Sequence, residues 1–75
     1  MSEKKWTFSK NPDTEIVKVE VKYYPTKFVN YFVVTQANGE RYYTDYGEVR
    51  DFIETAGSVE HIDHPNGSHT TVYTK

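Results

Sequence analysis

The chain has 75 residues, a formal net charge of −2 and no cysteine. A chain this short withdraws only about 60–65% of its unfolded surface from water and has no disulfide or thiolate metal site to help, so packing, a partner or an ion held by His and carboxylate must supply its stability. Nine valines, nine threonines and twelve aromatic residues against no leucine favour strands over helices.

The opening MSEKKWTFSK has no apolar run behind its lysines, so the expectation is a cytoplasmic chain with neither signal peptide nor membrane span. Residues 1–75 read as one small domain, with 1–12 either a flexible arm or an extra edge strand at Trp6-Thr7-Phe8, joined through the turn NPDT (11–14). Charge is uneven: residues 1–27 hold six Lys against four acids, and 40–64 hold two Arg against seven. A polyanion would therefore have to meet the N-terminal strands.

EIVKVEVKYY (15–24) alternates with period two, which places Val17, Val19, Val21 and Tyr23 on one face and Ile16, Lys18, Glu20 and Lys22 on the other. Pro25 ends that strand, and FVNYFVVTQ (28–36) reads as the next. A two-residue turn at Pro25-Thr26 would pair Tyr23 with Phe28 and Val19 with Phe32. Asn38-Gly39 signals a tight hairpin of type I′, pairing Ala37 with Glu40 and Val34 with Tyr43. These registers gather Val17, Val19, Val21, Tyr23, Phe28, Phe32, Val34 and Tyr43 into a core face. The other face receives Lys18, Lys22, Val29, Tyr31, Val33 and Tyr42, a stripe too apolar for a surface that only needs to be wet.

The period then changes. In DYGEVRDFIETAG, Asp45 is the N-cap with Glu48 three residues on, Val49, Phe52, Ile53 and Ala56 form an apolar stripe, and Gly57 stands where a glycine would end the helix. SVEHID and HTTVYT close the chain as two strands around His64-Pro65-Asn66-Gly67-Ser68, the chemistry of a type I turn ending in a glycine bulge. The whole is an α+β fold: a mainly antiparallel sheet ordered β-β-β-α-β-β with one helix packed on it. The same order fits an OB-like barrel, whose ligand surface is the face of its second and third strands.

Three histidines and an aspartate crowd into HIDHPNGSH (61–69). With a three-residue loop, His61, Asp63 and His69 share one face and His64 takes the other, so three nitrogen and oxygen ligands would suit Zn²⁺ or Ni²⁺. The plainer alternative is a set of polar residues beside an exposed turn, and no cofactor is expected. Catalysis has no support: there is no Cys nucleophile, no glycine-rich phosphate loop, and Ser9, Ser58 and Ser68 lie in no nucleophile-elbow context.

The expected function is a non-enzymatic binding or adaptor module acting through the aromatic face at Lys18, Lys22, Val29, Tyr31, Val33 and Tyr42. Its partner would be another protein or a second copy in a homodimer, because Tyr offers large contact area with a hydrogen-bonding tip. The expectation extends to an accessory protein, such as one of a phage or mobile element. The alternative is weak binding of single-stranded nucleic acid, with bases stacked on Tyr31 and Tyr42; a pI near 5.8 argues against it.

Overall fold

The computed structural model describes residues 5–27 and 29–75. Its elements are β1 (Lys5–Trp6), β2 (Ile16–Tyr24), β3 (Val29–Gln36), β4 (Glu40–Thr44), α1 (Tyr46–Glu54), β5 (Ser58–Asp63) and β6 (His69–Thr74). The strands form one sheet in the order β1-β4-β3-β2-β6-β5, antiparallel throughout except where β1 runs parallel to β4. The α+β architecture is therefore the expected one. The sheet is open, with β1 at one edge and β5 at the other, so the barrel alternative does not hold. Among the described residues no helix is long and apolar enough to cross a membrane.

α1 begins where expected: the Asp45 carboxylate accepts from the Glu48 amide at 3.2 Å and satisfies one orphan donor of the first turn. The chain leaves β4 beside one edge and reaches β5 at the other, so the helix lies across a single face of the sheet. There Val49 and Phe52 bury themselves against Val19, Val34 and Tyr42, with Ile16, Phe32, Ile53 and Tyr73 packed around them. Each fully buried side chain of this kind stabilises the fold by about 1.5–3 kcal/mol.

Three features of the strands differ from the sequence reading. The β3–β4 loop has three residues, Ala37, Asn38 and Gly39, so Val34 pairs with Tyr42 and Val33 with Tyr43. Gly39 has φ 90°, its amide donates to the Gln36 carbonyl at 2.9 Å, and the Asn38 side chain accepts from the Glu40 amide at 3.0 Å: a type I turn closed by a glycine bulge. A shift of one residue exchanges the two faces of a strand. Tyr42, expected on the open face, is thus in the core at 5% exposure, and Tyr43, expected in the core, is outside at 61%.

Between β2 and β3 the register differs from the expected one by two residues, with Tyr24 opposite Val29 and Val21 opposite Phe32. An even shift leaves the faces unchanged. Phe28, expected on the core face, lies outside the described residues. A bulge between Ile16 and Lys18 carries the third difference: Ile16 turns in against the core and Val17 turns out to 39% exposure, the reverse of strict alternation.

The β5–β6 hairpin matches expectation. The His64 amide donates to the Ser68 carbonyl at 2.9 Å, the Gly67 amide donates to the His64 carbonyl at 3.0 Å, and Asp63 stands opposite His69. The extra N-terminal strand is present as β1, but it pairs with β4 and extends only to Trp6; Phe8 is wholly exposed.

Candidate functional site

Directly paired residues share a face, so the registers define the surface opposite the helix. Lys18, Thr35 and Arg41 form one row across it; Glu20, Val33 and Tyr43 the next; Lys22 and Tyr31 the third; Tyr24 and Val29 the last. All the residues expected on this face are there except Tyr42. Val33 is 1% exposed and forms the floor between its cross-strand partners Glu20 and Tyr43, whereas Tyr31 is 38% exposed.

The surface of this face is a row of rings. Trp6 stacks on Tyr43 with centroids 5.0 Å apart, Tyr43 meets Tyr31 edge-on at 6.1 Å, and Tyr31 meets Tyr24 edge-on at 5.4 Å. Trp6 also lies over the Arg41 guanidinium at 4.8 Å, while Arg41 Nη2 donates to Glu20 Oε1 at 2.8 Å. That ion pair is largely shielded, and Arg41 is held beneath Trp6. Lys22, Lys27, Tyr24, Tyr31 and Tyr43 then line a shallow hollow of about 150 Å³. Past Tyr24 the surface opens into a broader hollow reaching Ile62, His64 and Thr70.

Sequence reasoning missed Tyr24 and Tyr43 as members of this surface, whereas it admits Trp6 as a cover for it and Lys27 as a cation beside its rings. For Tyr43 the sequence leaves two registers open, since an Asn-Gly pair suits both a two-residue loop and a three-residue loop with glycine last. The route by which Trp6 reaches the surface is not legible, because a parallel pairing of β1 with a strand thirty-five positions away leaves no local pattern.

The second cluster lies on the helix side, beyond the reach of α1. His61, Asp63 and His69 come together as expected: Asp63 Oδ1 is 3.0 Å from His61 Nε2 and 2.6 Å from His69 Nδ1. The His69 ring lies between that of Tyr23 at 6.1 Å and that of His61 at 5.6 Å, both nearly parallel to it. The hydrogen bond from His69, aided by the charge of the two imidazoles against slight desolvation, holds the Asp63 carboxyl below its usual range. His64 is on the opposite face, with Nε2 2.9 Å from Thr70 Oγ1.

Charge divides along the same lines. The exposed face of α1 carries Glu48, Asp51 and Glu54 with Arg50 alone among them, and Arg50 is bonded to Glu54. The aromatic face carries Lys18, Lys22 and Lys27 beside the paired Arg41 and Glu20, with Glu60 at the far edge on β5. Comparison of the chain with family models, with curated proteins and with solved structures found no match in any of the three.

Proposed function

We propose that this chain is a non-enzymatic binding module whose working surface is the aromatic face of the sheet, and that its partner is a protein segment presenting an aromatic or apolar side chain flanked by carboxylates. The carrying observation is the row Trp6–Tyr43–Tyr31–Tyr24, which the chain's own helix leaves uncovered and which Lys22 and Lys27 border. Aromatic rings fixed by neighbouring rings contribute contact area at small entropic cost, and lysines at their rim select and steer an acidic partner. Principal-axis extents of 36 × 29 × 23 Å give a face wide enough for the roughly 800 Å² a side of a stable complex.

Charge also separates this reading from its competitors. A two-fold dimer through the same face would set the lysines of one copy against those of the other, which disfavours a homodimer. Single-stranded nucleic acid would find rings to stack on, but too few cations for useful affinity at physiological salt.

Selection of displayed peptides on the immobilised chain tests the proposal. Enriched peptides are expected to carry Tyr, Phe or Trp beside Asp or Glu. Their affinity should fall at least about tenfold, or 1.4 kcal/mol, on Tyr31→Ala/Tyr43→Ala. Enrichment without acidic residues, or equal binding to the double variant, overturns it. So does saturable binding of labelled oligo-dT at tens of micromolar in moderate salt, or a dimer in sedimentation that the double variant abolishes.

A further inference from the structure

We propose that His61, Asp63 and His69 form a Zn²⁺ site, on the face of the sheet opposite the aromatic row and independent of it. The β5–β6 loop builds it. With Asp63 paired to His69 and His61 two residues before Asp63 on the same strand, the three side chains leave the sheet in one direction. One ligand atom from each lies within 4.8 Å of the others. In a tetrahedral zinc site, with metal–ligand bonds of about 2.0–2.2 Å, such atoms are roughly 3.3–3.5 Å apart, so the two imidazoles close on each other by at most roughly 1.3–1.5 Å while the Asp63 carboxylate, now 3.0 and 2.6 Å from them, backs away by less than about 1 Å.

The surroundings orient the ligands. Thr71 Oγ1 is 3.1 Å from His61 Nδ1, and when it accepts that nitrogen's proton the Nε2 lone pair points at the centre of the trio, the tautomer a metal ligand needs. Tyr23 and the His61 ring sandwich His69 and leave its Nδ1 aimed at the same point. Asp63 has no Lys or Arg partner among the described residues; its only ionic neighbours are the two imidazoles. Two nitrogens and one carboxylate make a borderline donor set suited to Zn²⁺, and water would complete the tetrahedron at this exposed position.

Titration of the full chain, isotope-labelled at its histidines, with zinc chloride tests this. The ring signals of His61 and His69 should move together and saturate at micromolar Zn²⁺ with one equivalent, while those of His64 stay in place. The melting temperature should rise with zinc concentration. His61→Ala, on an exposed edge strand where folding does not depend on it, should weaken binding by more than about tenfold, a loss that removal of even an outer partner can bring. Asp63→Asn should do the same, and His64→Ala should bind as the wild type does. Absence of saturation below millimolar zinc, a response in which His64 moves with the others, or wild-type binding by both His61→Ala and Asp63→Asn overturns the proposal.

Discussion

Tyr42 and Tyr43 are chemically identical neighbours with opposite environments, 5% and 61% exposed. Burial, and secondarily the Glu48 carboxylate, pushes the Tyr42 phenol above its ordinary value of 10.0. Below about pH 10 the phenol is protonated in both the folded and unfolded chain and adds no pH dependence. Above it the unfolded chain releases the proton first, so stability falls as pH rises from the unfolded value through the raised folded one. Denaturant unfolding between pH 9 and 11 should therefore show a steeper alkaline loss for the wild type than for Tyr42→Phe; equal slopes would show that Tyr42 carries none of it. Alternation alone could not tell the two tyrosines apart, because both suit a strand equally well.

Among the elements, the β3–β4 and β5–β6 hairpins share one device that the sequence made legible only once. Ala37-Asn38-Gly39 and Pro65-Asn66-Gly67 are the same three-residue loop: glycine at φ 90° and 88°, its amide bonded back three residues, and the Asn side chain accepting from the amide two residues on. Pro65 announces the type I conformation by restricting its own φ, whereas Ala37 announces nothing. The helix start was legible because a cap is a local interaction. Replacing Asp45 with Ala should remove about 1 kcal/mol of stability, read as a lower denaturant midpoint with an unchanged slope. The helix end was less so: Thr55 is the C-cap, and Gly57 has another use, since a Cβ there would meet the Lys75 backbone at 3.1 Å while its amide donates to the Thr74 carbonyl.

In the molecule as a whole, a buried glutamine fastens the N-terminal segment to the sheet. Gln36, 1% exposed, accepts from the Asn11 amide at 2.9 Å and donates to the carbonyls of Asn11 at 2.9 Å and Thr14 at 3.0 Å. Gln36→Ala leaves those backbone groups unpaired, and the expected loss is about 1–3 kcal/mol. Hydrogen exchange at Asn11 should accelerate and Trp6 fluorescence should shift to the red as β1 loosens; an unchanged Asn11 amide would show that the clasp does not hold this segment. With the arm fastened there, Trp6 reaches Tyr43 and covers one end of the aromatic face, while Phe8 stays wholly exposed. A single helix has only one side of the sheet to cover, so the remaining rings stay outside.

The sequence by itself determined the element order, the capped amphipathic helix, the β5–β6 register and hence the meeting of His61, Asp63 and His69. Each depends on residues within one turn or one hairpin, where proline, Asn-Gly and alternation act locally. Only the tertiary structure decided that the sheet stays open, that Ile16 and Tyr42 turn inward, and that Trp6 joins the aromatic row. Those outcomes follow from a bulge, a loop longer by one residue and a parallel pairing across thirty-five positions, where side-chain packing against distant strands selects among backbones that the local sequence leaves nearly equal in energy.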